Sequence, residues 1–238
     1  MNKNKYFQYG DTEIEYLKKK DKKLAEIIDV IGPIRREVEH DLFASVVHHI
    51  VGQQISTKAQ RTVWARIVDL AGEVNAASIR QAGVDELQKC GLTFKKAEYI
   101  VEFAEKVHCG EFDLEGLAVM EDEEVIAELS ALRGIGVWTA EMILLFCMKR
   151  PNVLSYGDLA IQRGMRMIYH HRKVDRKRFE MYRRRYSPYC STASLYIWAV
   201  AGGAIEGMRD YAPEKKSKSR RRATKRSINR NSSKIVPQ

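Results

Sequence analysis

Apolar residues recur every three or four positions almost from end to end of this chain, and nowhere do they alternate for long. A period near 3.6 puts apolar side chains on one stripe of an α-helix, whereas a half-buried strand needs a period of two. Ile14, Leu17, Leu24, Ile27, Ile28 and Ile31 form one such stripe, ended by Gly32-Pro33. Phe43, Val46, Val47 and Ile50 form the buried side of a second helix, and "STKAQRTVWARIVDLAG" reads as a third with Ser56 as its N-cap. "ASIRQAG" and "VDELQKCG" read as two short helices, each closed by glycine. The pattern predicts an all-α protein of about ten helices joined by short loops. With 238 residues, the chain can build one large or two small domains.

No apolar run approaches the length of a membrane span, and the polar N-terminus has no signal-peptide core, so no transmembrane helix and no membrane partner are expected. Cys90, Cys109, Cys147 and Cys190 stand too far apart for a zinc ribbon or a compact iron–sulfur site and read as free thiols. The net charge of +10 is unevenly placed. Residues 213–238 carry ten Lys/Arg against one acid, while the other 212 residues carry 31 basic and 30 acidic groups. That tail lacks apolar periodicity and is expected to be disordered, with nucleic acid as its partner through non-specific contacts. A second basic stretch, His171 to Tyr186, reads as a solvated helix face.

"LRGIGVWTAEMILLF" breaks one helix at Gly134 and Gly136 and starts another at once. A glycine pair allows φ > 0 and leaves no side chain in the way of a ligand, and the new helix offers unpaired N–H groups at its positive end. Together these suit one anion, commonly a phosphate. The alternative is an ordinary tight turn between helices. Downstream, "KRPNVLSYGDLAIQRG" places Asp158 where the next helix begins, which fits an N-cap as well as a catalytic carboxylate.

The hairpin "LRGIGVWTA" and the loop "GDLAIQRG" resemble the helix-hairpin-helix DNA glycosylase superfamily. "IVGQQISTKAQRTV" and "SPYCSTASLYIWAVAGG" resemble one branch of it, the 3-methyladenine DNA glycosylase II family. The resemblance spans roughly residues 11–209 and implies a glycosylase domain over 1–212, built as two helical subdomains with the active site in the cleft between them. It implies base excision repair of double-stranded DNA containing damaged bases, by a monomer in the nucleoid of a prokaryote or the nucleus of a eukaryote. Such an enzyme flips the damaged nucleotide out of the duplex.

The resemblance also implies roles. Asp158 stabilises the positive charge that develops on the sugar and orients water. Trp138, Met142 and Trp198 line the base pocket, where a cationic alkylated purine on an aromatic face gains up to about 2 kcal/mol. Some relatives carry Tyr at the position of Met142. Arg133, Gly134, Ile135, Gly136, Val137 and Thr139 form the hairpin's contacts with DNA, as does Gln53 in the loop after the second helix, and its neighbour Gln54 supplies the wedge that fills the gap left by the flipped base. The backbone carbonyls of Ser130, Leu132 and Ile135 are the implied ligands of a structural monovalent cation; no other cofactor and no iron–sulfur cluster are expected. Bifunctional relatives carry a nucleophilic Lys at the position of Trp138, so the chain reads as monofunctional. Two further readings stay open: a related glycosylase for oxidised or mismatched bases, and a non-catalytic DNA-binding protein.

Overall fold

The computed structural model describes residues 5–213; apart from Pro213, the basic tail lies outside the described residues. Among the described residues eleven α-helices follow one another, and the only β-pairing is an isolated bridge between Tyr6 and Glu37. The N-terminal stripe is two helices rather than one, α1 (Asp11–Lys20) and α2 (Lys22–Ile31). Asp21 causes the break. Its extended backbone ends α1 through the N–H to Leu17 carbonyl bond, and its carboxylate accepts the Leu24 N–H at 3.0 Å to cap α2. That carboxylate is buried, and it also accepts from Arg185 at 2.6 Å and from the Tyr169 hydroxyl at 3.0 Å. A buried charge needs such partners, and apolar periodicity carries no sign of them.

Next come α3 (Leu42–Gly52), capped by Asp41, and α4 (Thr57–Ala71), capped by Ser56 as expected. α5 (Ala76–Lys89) joins the two short helices read from the sequence, with a kink at Gly83, whose φ is +71°. α6 (Phe94–His108) is followed by α7 (Asp122–Ala131) and α8 (Val137–Phe146), the two arms of the glycine hairpin. α9 (Leu159–Tyr169), α10 (Arg176–Tyr186) and α11 (Cys190–Ala201) complete the fold.

The apolar side chains collect in two cores. One joins α3 to α8 around Phe43, Val47, Ile50, Ile67, Leu87, Ile100, Leu129 and Leu144. The other joins α1, α2 and α9 to α11 around Leu17, Leu24, Ile161, Met165, Phe179, Tyr186 and Tyr196. Tyr9, Ile34 and Trp198 pack against both cores and mark the seam between them.

α9 lies tight against α11 because Gly164 has no side chain: a Cβ there would come within 2.3 Å of the Ile197 carbonyl oxygen. Backbone cannot move aside as a flexible side chain can, so Gly164→Ala must push the helices apart. Overpacking of this kind costs about 1–3 kcal/mol. The expected result is a thermal unfolding midpoint lower by several degrees, read by circular dichroism; an unchanged midpoint would show that the helices separate freely.

Candidate active site and nucleic-acid interface

Asp158 is the N-cap of α9, and its Oδ1 accepts the Ile161 N–H at 2.8 Å. A cap explains one bond, but the carboxylate makes three. The Trp198 indole Nε1–H donates to Oδ1 at 3.2 Å and the Trp138 Nε1–H donates to Oδ2 at 2.8 Å. With 7 % of its surface exposed, Asp158 is buried, and all three partners are donors, the set a carboxylate accepts. Oδ1 takes two bonds and Oδ2 one, which leaves Oδ2 with acceptor capacity to spare.

The loop before Asp158 is braced on both sides. Gln162 Nε2 donates to the Tyr156 carbonyl at 2.7 Å, and the Ser155 hydroxyl donates to Glu141 on α8. Burial pushes the Glu141 carboxyl above the ordinary range, which the Ser155 bond partly offsets.

Asp158 lies in the wall of a cavity of about 450 Å³ together with Trp138, Met142, Phe146, Trp198 and Arg36. The structure therefore brings the expected pocket residues Trp138, Met142 and Trp198 together around the carboxylate. Trp138 is 47 % exposed, so core packing does not account for its place, whereas Met142 is buried in the wall. Phe146 stacks on Trp198 with ring centroids 5.6 Å apart. Sequence reasoning missed Phe146, although Trp138, Met142 and Phe146 recur at the i, i+4, i+8 spacing of one helix face. It also missed Ile34, Arg35 and Arg36, which follow Gly32-Pro33 in a segment with no periodicity to read.

In the hairpin only Gly134 needs the freedom of glycine. Its φ is +88°, and a Cβ would meet the Tyr99 ring at 2.5 Å. Gly136 has an extended backbone at φ −101° and nothing within 4 Å of where a Cβ would be. It caps α8 without a side chain, so the N–H groups of Val137, Trp138 and Thr139 precede the first intrahelical bond, Ala140 N–H to Gly136 carbonyl. Val137 is exposed, Ile135 is buried, and Arg133 lies over the Tyr99 ring while paired to Glu102 at 2.7 Å. The Thr139 side chain is buried and lines a second cavity, so any contact it makes with a ligand at the hairpin runs through its backbone.

The two glutamines separate in role. Gln53 Nε2 donates to the Gly134 carbonyl at 2.5 Å, tying the loop after α3 to the hairpin, while Gln54 is exposed with φ +57°. The Lys96 ammonium secures the same loop by donating to the Val51 and Gln53 carbonyls, and burial lowers its pKa. Between this loop and Trp138 lies the second cavity, of about 580 Å³, adjoining the first through Arg36, Phe146 and Trp138. Cys147 and Cys190 are buried, with thiols pushed up to about 11 and about 12 by burial. Among the described residues, no cluster of three or more His, Cys, Asp or Glu side chains is placed to hold a metal ion.

Residues 47–188 match the HhH-GPD superfamily base excision DNA repair protein family. The chain is 25 % identical to DNA-3-methyladenine glycosylase 1 of Schizosaccharomyces pombe, over 76 % of this chain and 81 % of that protein. It superposes on the crystal structure of a DNA-3-methyladenine glycosidase from Bacillus halodurans with a TM-score of 0.76 and 32 % identity, covering 87 % of this chain and 97 % of the other. The fold also matches the S. pombe 3-methyladenine DNA glycosylase in complex with abasic DNA, at a TM-score of 0.71 and 22 % identity over 81 % and 98 % of the two chains.

The hairpin geometry separates its two glycines by experiment. Gly134→Ala forces a side chain into left-handed backbone at about 1–2 kcal/mol and also displaces Tyr99. Gly136→Ala meets open space on ordinary backbone. Thermal unfolding is expected to show a clear loss of stability for the first and almost none for the second.

Proposed function

The chain belongs to the HhH-GPD superfamily of base excision DNA repair proteins, and we propose that it is a monofunctional DNA glycosylase that excises alkylated purines of the 3-methyladenine type. The observation that carries this reading is the buried Asp158 carboxylate, held by two indole N–H groups in the wall of an aromatic cavity.

Cleavage of the N-glycosidic bond builds positive charge on the sugar. A fixed carboxylate beside the anomeric carbon offsets that charge, and the remaining acceptor capacity of Oδ2 orients the attacking water. Trp138 and Trp198 position the carboxylate and also offer their faces to the base. Alkylation at N3 or N7 makes a purine cationic, which draws it to aromatic faces and makes it a good leaving group. Water is the nucleophile because position 138 holds an indole where bifunctional relatives carry a lysine amine.

The hairpin's free N–H groups hold a phosphate of the lesion strand without reading sequence. The exposed Gln54, on a loop anchored by Gln53 and Lys96, enters the stack in place of the flipped base. The carbonyls of Ser130, Leu132 and Ile135 would hold the family's monovalent cation, whose charge would strengthen the phosphate site. Two observations bear on that fit. Ser130 lies in the last turn of α7, where carbonyls lack helical partners, and its Oγ is buried with no hydrogen-bond partner. The Leu132 carbonyl already accepts the Ile135 N–H at 3.1 Å, leaving it one lone pair. The protein acts as a monomer on duplex DNA.

Asp158→Asn keeps the shape and removes the charge. Loss of a preorganised charge of this kind is expected to slow single-turnover release of 3-methyladenine from methylated DNA by about 10²-fold or more. Binding to an abasic duplex is expected to persist, since the hairpin is untouched. Excision at the wild-type rate would remove Asp158 from the mechanism. In a second assay, the wild-type protein is expected to leave an intact abasic strand and give no covalent adduct with DNA under borohydride. Efficient trapping would demand an amine nucleophile and overturn the monofunctional reading.

A further inference from the structure

α8 reaches the loop that carries Asp158 at two points. Trp138 Nε1–H donates to Asp158 Oδ2 at 2.8 Å. One turn further along the same helix, Glu141 accepts a hydrogen bond from the Ser155 hydroxyl, three residues ahead of Asp158. Residues three apart on a helix are surface neighbours, so both side chains meet the loop from one face of α8. Ser155 is buried. The other anchors of the loop tie it to other helices. The Val153 N–H donates to Ser191 Oγ and the Ser194 hydroxyl donates to the Val153 carbonyl, each at 3.0 Å, which fixes the start of the loop on α11. Gln162 of α9 holds the Tyr156 carbonyl.

We propose that Glu141 is a positioning residue, whose bond to Ser155 sets the register between the loop and α8 and so holds Asp158 in place against Trp138. The inference rests on the glycosylase reading and deepens it. Glu141 lies in the wall of a third cavity, of about 470 Å³, which shares no lining residue with the cavity of Asp158 among the described residues. It therefore acts through the loop and not on the base. The other carboxylates of that wall are in ion pairs: Asp122 with Arg150 at 3.5 Å, Glu123 with Arg183 at 3.7 Å and Glu180 with Arg176 at 3.0 Å. Glu141 is engaged by the loop instead. Burial raises its pKa, while the Ser155 bond and the charges of Arg176 and Arg183 favour the ionised form that accepts from a hydroxyl. A hydrogen bond to a charged acceptor is the stronger kind, which suits a bond that must hold a loop in one place.

The test uses the full chain and reads two quantities. One is single-turnover release of 3-methyladenine from methylated DNA, and the other is affinity for an abasic duplex. Glu141→Leu removes the acceptor and is expected to slow release by about tenfold or more, because small displacements of a catalytic group are costly. Affinity for the abasic duplex is expected to stay at the wild-type value. Glu141→Gln keeps an oxygen that accepts the same bond and is expected to recover most of the rate. Ser155→Ala removes the donor and is expected to slow release by a similar factor. In the double variant Glu141→Leu/Ser155→Ala the two losses are not expected to multiply, since either change breaks the one bond. Rates are taken per molecule competent to bind the abasic duplex, so unfolded protein does not enter. Wild-type release by Glu141→Leu, a glutamine variant as slow as the leucine variant, or a double variant whose loss is the product of the single losses overturns the role of Glu141 and leaves the glycosylase reading standing. No release of 3-methyladenine by the wild-type protein overturns both.

Discussion

A buried carboxylate is tolerated only where the protein replaces the hydrogen bonds it had in water. At Asp158 three elements supply them: Trp138 from α8, Trp198 from α11 and the backbone of Ile161 from α9. α8 belongs mainly to one core, while α9 and α11 belong mainly to the other. The site can therefore be complete only when both cores have formed and met along the seam. Trp198 packs against both cores and donates to the carboxylate, so one side chain joins the packing of the seam to the buried charge. The close contact of Gly164 with α11 serves the same end, since it sets the distance between the cap at Asp158 and the indole that reaches it.

The surface around the carboxylate is assembled with comparable economy of parts. Gln53 and Lys96 join the end of α3 to the hairpin and to α6, so the exposed Gln54 projects from a loop whose ends are tied. Ser155 and Gln162 hold the loop ahead of Asp158 against α8 and α9. Loops carry function well when their ends are fixed by rigid elements, because a catalytic group must stay within a fraction of an ångström of its working position. Here the fixing bonds are mostly side chain to backbone carbonyl, and Gln54 and Arg36 are among the residues that line the cavities.

Much of this was legible in the sequence, and the parts that were not share a cause. Helical periodicity located most helices, and Ser56 and Asp158 announced themselves as caps by residue type and place. The break at Asp21 escaped because its partners, Tyr169 and Arg185, are remote in sequence, and a stripe of apolar residues reads the same on one helix or two. The bonds from Trp138 and Trp198 to Asp158 escaped a reading from residue type alone, since both indoles are remote from it in sequence. Gln53 and Gln54 are both glutamines in one loop, and the bond that ties Gln53 to the Gly134 carbonyl, 81 residues away, has no local signal. Arg36 gave no local signal: it stands in an irregular segment, and the ring it packs over, Phe146, lies on a helix 110 residues later.

Position 138 links reaction type to pocket electrostatics more tightly than either does alone. As tryptophan it gives Asp158 an N–H bond and gives the cavity an apolar face, while adding no charge. A lysine there would remove that bond, bring an ammonium beside Asp158, and place a second cation in a cavity already lined by Arg36. In the proposed mechanism, the carboxylate would then be neutralised by its neighbour instead of remaining available to the charge developing on the sugar. A water-dependent site thus gains from an uncharged donor at this position, and an amine-dependent site would need the surrounding charges arranged anew. In the proposed mechanism, the residue at position 138 therefore decides the state of Asp158, while the backbone of the hairpin can remain the same in either case.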